Sequence, residues 1–255
     1  MKFKKSLGQH FLIDGNIKKK IVDLIELSKD DTIVEIGPGD GALTDLIYGK
    51  CKKLILIEKD NHLGKKLKSK YLKAEVFIQD FLKWDFNNLK NVKIVGNLPY
   101  NVASQIIFKI IQNIKKWQLA VFMVQKEVAE RIIAAPKNKD YSILSVIVQS
   151  FCKVRKVFDV SPECFIPKPK VISSVVKIIP VNSEINDFHE FFKFTKALFY
   201  GRRKKLVNVL KKNPYMTFNE NFIDFVKENF SQNVRIEELK IEDIEKLFKE
   251  VKKWN

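Results

Sequence analysis

Cysteine is scarce in this chain. The 255 residues hold three, Cys51, Cys152 and Cys164, an odd number without the paired short spacings of a zinc site. Neither a metal nor a disulfide framework is implied, and reduced thiols in a cytosolic protein fit best. Long apolar runs are also missing: no stretch approaches a transmembrane span. Residues 1–5 carry lysines but lead into Gly8, Gln9 and His10, not into the apolar core of a signal peptide. The expectation is a cytoplasmic protein with no membrane partner. Acids are outnumbered, 30 against 47 Lys and Arg, for a formal net charge of +17. Clustered basic side chains gain affinity for phosphates by releasing condensed counterions, so a nucleic acid is the expected partner. The plainer alternative is a lysine-rich composition whose charges are solvated faces. Neither repeats nor low-complexity segments occur, and 45% apolar residues are those of a globular chain, not a disordered or fibrous one.

Helical and strand-like segments alternate over the first half. Asp14 can cap a helix whose apolar face is Ile17, Ile21, Leu24 and Ile25. Short runs rich in Ile, Val and Phe follow at 32–36, 54–58, 75–78, 92–97 and 119–124, each too short for a helix and therefore read as buried strands. Helix-period segments at 42–48, 63–71 and 104–114 lie between them, and this alternation predicts a doubly wound α/β fold with a parallel sheet covered on both faces. A helix over 142–150 precedes two further strands at 152–159 and 171–179, which suggest a closing hairpin. From Asn182 onward only helical patterns remain, with Phe188, Phe191, Phe192, Thr195, Leu198 and Phe199 on one face. The predicted organisation is an α/β domain over residues 1–181 and a small all-α domain over 182–255.

The stretch from Glu35 to Thr44 packs Gly37, Gly39 and Gly41, three of nine glycines, just after the first of these buried strands. Glycine there permits positive φ and close approach of a cofactor to the backbone, although a purely structural turn would use it too. The third glycine comes one residue earlier than in the dinucleotide fingerprint, so a cofactor without a pyrophosphate fits better. Glu58 ends the next strand, where a carboxylate can accept from both hydroxyls of an adenosine ribose. Asp80 follows the third strand, placed to accept from an adenine amino group, and Asn97 ends the fourth in Asn97, Leu98, Pro99, Tyr100. These groups converge where open α/β sheets bind ligands, at the carboxyl ends of the strands.

Four motifs, taken together, resemble the ribosomal RNA adenine dimethyltransferases. They are Leu7 to Leu12, the Glu35 to Thr44 loop, Asn97 to Tyr100, and Phe165 to Val171. Phe199 to Leu206, with Arg202, Arg203, Lys204 and Lys205, resembles the basic helix junction of the small-subunit branch, the one linked to kasugamycin resistance. Departures are His10, where many relatives have Asn, and Val102, Ala103, Ser104 in place of a more usual Ile, Ser, Thr. The resemblance implies a Rossmann-like class I methyltransferase domain, S-adenosyl-L-methionine as donor, and adjacent adenosines of small-subunit ribosomal RNA as acceptors. It further implies a cofactor site of His10, Leu12, Gly37, Gly39, Glu58, Asp80 and Asn97, RNA contacts from Arg202 to Lys205, and a chain acting as a monomer. Catalysis falls to Asn97 and Leu98, whose side-chain and main-chain oxygens can accept the N6 hydrogens, and to Tyr100 and Phe165, which can sandwich the extruded base. Phe165 as a core residue is the alternative. At the level of function, the alternatives are the large-subunit methyltransferases of macrolide resistance and a non-catalytic RNA-binding assembly factor on the same fold.

Overall fold

The computed structural model describes residues 10–254; Leu7, Gly8 and Gln9 of the first motif, and residues 1–5, lie outside them. Two compact units emerge. The first comprises the described residues up to Ala129 together with Lys153–Pro180, and the second Glu130–Cys152 with Val181 onward.

The first unit carries strands β1 (Phe11–Leu12), β2 (Thr32–Ile36), β3 (Lys53–Glu58), β4 (Glu75–Ile78), β5 (Val92–Asn97), β6 (Trp117–Gln125), β7 (Cys152–Val160), β8 (Phe165–Ile166) and β9 (Ser173–Pro180). Seven of them form one sheet in the order β4-β3-β2-β5-β6-β9-β7. Neighbours from β4 to β6 are parallel, whereas β9 runs antiparallel to β6. Continuous apolar runs such as Ile33–Val34 and Leu54–Ile57 are buried on both faces, as parallel strands under helices must be. Those helices include α1 (Gly15–Asp23), α2 (Thr44–Ile47), α3 (Asn61–Lys70) and α4 (Ala103–Gln112). Asp14 caps α1 as its position predicts, its carboxylate accepting from the N–H groups of Asn16 and Ile17 at 2.9 Å. From β2 the chain winds outward through β3 to β4, then returns to place β5 on the other side of β2. That reversal is the switch point at which a crevice opens.

α5 (Lys126–Ile133) leads into the second unit, whose helices are α6 (Ile143–Phe151), α7 (Phe188–Phe199), α8 (Leu206–Lys211), α9 (Glu220–Asn229) and α10 (Ile241–Trp254). Its core is aromatic, with Phe191 and Phe194 packed on Phe248 at 5.1 and 5.5 Å. The contiguous reading of 1–181 assigned the 142–150 helix to the sheet domain; here α6 clusters with the C-terminal helices. Leu144, Val146, Ile147, Val148 and Phe151 are all buried, so α6 is apolar nearly all round and needs neighbours on several sides. Phe151 meets Phe188 and Phe191, each at 5.9 Å, contacts between segments that are far apart in sequence.

Candidate active site

The crevice at the switch point is a cleft lined by residues from the ends of β1 to β5 and the loops that follow. Counted to its open mouth, solvent included, it holds about 1220 Å³ of empty space.

Its floor is the glycine loop. Gly37, Gly39 and Gly41 all have positive φ, at 63°, 61° and 95°, which other residues adopt only with strain. At Gly39 an added Cβ would meet the Phe11 ring at 3.1 Å, and at Gly41 it would collide with the Tyr71 hydroxyl. Space and backbone both demand glycine. The loop is tied to β3 by Glu58, whose carboxylate accepts from Gly39 N at 3.0 Å and from Asp60 N at 2.8 Å. Burial raises the Glu58 pKa in spite of these N–H donors. Each oxygen still has a lone pair for a ligand hydroxyl.

Asp80 sits on the cleft wall with both oxygens engaged: Oδ1 accepts from Leu82 N at 2.9 Å and Oδ2 from Lys59 Nζ at 2.8 Å. Burial pushes its carboxyl up, but the lysine and the N–H outweigh that and hold it below its ordinary value. Beneath the loop, Glu35 is 2% exposed and accepts from the Thr44 hydroxyl at 2.7 Å. Burial lifts its pKa to about 8 against that hydrogen bond, so it is mostly neutral at pH 7. In the sequence Glu35 stands out only as part of the loop motif; its burial is a long-range property of β2, invisible in the motif.

On the opposite side Asn97 donates Nδ2–H to His10 O at 2.9 Å, which fixes the amide and leaves Oδ1 as the acceptor. Tyr100 bonds Ser173 Oγ at 2.8 Å, and burial raises its pKa. His10 holds Pro167 O at 2.7 Å through Nδ1; a carbonyl only accepts, so Nδ1 carries the proton. The imidazole stacks on Tyr100 with centroids 5.4 Å apart and planes 24° from parallel.

His10, Leu12, Gly37, Gly39, Glu58, Asp80, Asn97, Leu98 and Tyr100, all expected at the site, line this one cleft. Phe165, expected there too, is absent from that lining. It is 1% exposed, pairs with Leu12 across the β1–β8 ribbon, and belongs to a core cluster with Leu12, Met123 and Val175. The ring stacked on Tyr100 is that of His10. The flanking prolines suggested an open loop, but the two-residue ribbon that buries Phe165 is too short to read from a pattern.

The basic cluster lies in the second unit. Arg202 differs from the three residues after it: its Nε pairs with Glu237 Oε2 at 2.8 Å and its Nη2 donates to Asn138 O at 3.1 Å. Lys137 N donates to Glu237 O at 2.7 Å, so Arg202 clasps the 137–138 turn to the 235–238 turn. Arg203, Lys204 and Lys205 are exposed.

The chemistry of the lining decides what cofactor fits. Among the described residues of the lining, four are acids, Glu35, Asp40, Glu58 and Asp80, and one is a lysine, Lys59, already paired with Asp80. Even with Glu35 neutral, an acidic wall in a chain of net charge +17 disfavours a pyrophosphate. It favours a ligand with ribose hydroxyls and positive charge, as in S-adenosyl-L-methionine. The residues fit that group.

A sheet of this order, with a glycine-floored, acid-lined cleft at its switch point, is that of the class I methyltransferases. The 23S ribosomal RNA methyltransferase ErmE shares the fold, with a TM-score of 0.69 over 95% of this chain and 99% of its own at 23% identity. Within that class the chain belongs to the ribosomal RNA adenine dimethylase family, whose description matches residues 1–253. Ribosomal RNA small subunit methyltransferase A of Mycoplasmopsis pulmonis is 42% identical, covering 99% of this chain and 100% of the relative. That of Sulfurihydrogenibium sp. is 41% identical over 97% and 96%. The crystal structure of a dimethyladenosine transferase from Plasmodium falciparum superposes with a TM-score of 0.85 at 30% identity, covering 96% and 98%.

Proposed function

We propose that this protein dimethylates N6 of adjacent adenosines in small-subunit ribosomal RNA, using S-adenosyl-L-methionine. The observation that carries the reading is the junction, in one cleft, of an acidic ribose-binding wall with the Asn97 to Tyr100 turn. Near-full-length relatives named as small subunit methyltransferases support the choice of substrate. When bound, the cofactor supplies a sulfonium methyl, an electrophile that needs no metal. Glu58 holds the ribose hydroxyls, and the glycine loop admits the cofactor against the backbone. Asn97 Oδ1, its amide fixed by His10 O, and the Leu98 carbonyl accept the N6 hydrogens. The amine, whose lone pair is otherwise delocalised into the ring, is thereby held closer to tetrahedral. Tyr100 supports the extruded base on its ring face, and the His10 imidazole packed against Tyr100 helps to hold that ring. The contribution is positioning, worth up to several kcal/mol of barrier. A strong base is unnecessary, because the amine proton becomes acidic only once the methyl has arrived.

No helix among the described residues is long and apolar enough to cross a membrane. The protein works in the cytoplasm, as a monomer, on assembling subunits; its unpaired cysteines and basic charge support that reading. Incubation with labelled S-adenosyl-L-methionine and undermodified subunits of each size, followed by mapping of the label, tests the proposal. Label on adjacent adenosines of the small subunit is expected. Label confined to the large subunit, or none, overturns it.

A further inference from the structure

In the second unit, the turns after α7 and after α8 each display a large aromatic ring that its core does not use. Tyr200 and Tyr215 are 52% and 53% exposed and meet edge to face, centroids 5.5 Å apart and planes at 81°. The pairing is built. Asn213 Nδ2 donates to Ala197 O at the end of α7 at 2.8 Å, and Tyr215 N donates to Asn213 Oδ1 at 3.0 Å. Asn213 thus pins the 213–215 turn to the helix and sets Tyr215 beside Tyr200. Lys196 Nζ lies 5.5 Å from the Tyr215 centroid and Lys204 Nζ 5.8 Å from that of Tyr200.

Exposed cation–π pairs contribute only about 0.5–1 kcal/mol, too little to explain why two apolar rings stay half in water. The combination of half-exposed aromatic rings with ammonium groups is the one that single-stranded nucleic acid uses: bases stack on the rings and the adjoining phosphates meet the cations. We propose that Tyr200 and Tyr215 form a stacking platform for an unpaired RNA base, with Lys196 and Lys204 meeting its flanking phosphates. The proposal rests on the reading that RNA is the substrate, and it adds a base-binding site separate from the methylation cleft. Its occupant is a nucleobase rather than a protein side chain because charge complementarity selects it: the lysines beside both rings suit phosphates.

The test uses the full chain and a single-stranded RNA of about ten nucleotides, within the 4–16 nucleotides a single-strand site commonly spans, with 2-aminopurine at its centre. Stacking on tyrosine quenches that fluorophore. Wild type and a Tyr200→Phe, Tyr215→Phe variant should quench it equally. A Tyr200→Leu, Tyr215→Leu variant should lose the quench and bind roughly tenfold or more weakly. Its salt dependence should be unchanged, because the lysines remain. With undermodified small subunits its KM should rise while kcat stays. Should the double leucine variant melt early, Tyr215→Leu alone serves, with part of the loss expected. Leucine variants that quench and bind like wild type overturn the platform, as does a phenylalanine variant that fails equally, since the hydroxyls would then be making a protein-type contact. A wild-type protein that methylates neither subunit refutes the functional reading instead, while the fluorescence titration still judges the platform.

Discussion

Two clusters stand out in the sequence, the strand-end motifs of the cleft and the basic run from Arg202 to Lys205, and the structure treats them differently. In the cleft, residues from distant motifs, such as His10 and Asn97, 87 positions apart, share one lining. In the basic run, neighbours of like charge part company: Arg202 is committed to Glu237 and Asn138, and Arg203 to Lys205 face outward. The difference is one of scaffolding. A residue at the carboxyl end of a parallel strand is placed by the sheet, so counting along the chain locates it. A residue in a turn between helices is placed by whatever packs against it, and no local pattern reveals that.

Phe165 offers the largest test of this contrast, because it is a motif residue whose position packing decided. Removing a fully buried phenylalanine leaves a cavity in a cluster that includes Leu12 and Met123, and Phe165→Ala should cost about 3–5 kcal/mol of stability. Thermal melting beside single-turnover methylation would measure it. Near-normal melting with slow transfer would return Phe165 to the base sandwich and break the contrast.

Glu58 stands on the other side of the comparison, placed by β3. Glu58→Ala should weaken S-adenosyl-L-methionine binding by roughly 1.5–3 kcal/mol for each charge-assisted bond lost, with RNA affinity nearly unchanged. Because Glu58 also accepts from Gly39 N and Asp60 N, the alanine variant loosens the glycine loop as well. Glu58→Gln, which keeps an acceptor oxygen, separates the two effects. Calorimetry giving wild-type cofactor affinity in a folded alanine variant would remove Glu58 from the site.

Much of this was legible in the sequence. Strand runs at 32–36, 75–78 and 92–97 match β2, β4 and β5 residue for residue, since continuous Ile and Val between turn residues admit little else. Gly37, Glu58 and Asn97 followed from those strands. What stayed hidden depends on distant partners: the β1–β8 ribbon that buries Phe165, the Asn97 to His10 bond that orients the amide, and the aromatic contacts that gather α6 with α7. Glu35 is the instructive case between. Its position was plain, but its neutral state near pH 7 arises from complete burial, which a motif does not encode.

The smallest and most discriminating test separates Arg202 from Arg203. Arg202→Ala strips the nearer partner from Glu237, whose side chain is only 18% exposed, leaves it Arg235 at 3.9 Å, and frees the 137–138 turn. A part-buried pair of this kind should contribute roughly 1–2 kcal/mol once solvent screening is discounted. Its loss should appear as earlier melting, with little change in the salt dependence of subunit binding. Arg203→Ala should do the reverse: unchanged melting, and a slope of log affinity against log salt shallower by up to about one unit, as expected when one phosphate contact is lost. Equal melting and equal slopes for the two variants would mean that the Glu237 clasp carries no weight. The arginines would then be interchangeable surface charge, and the contrast between strand-placed and packing-placed residues would fail where it is drawn most finely.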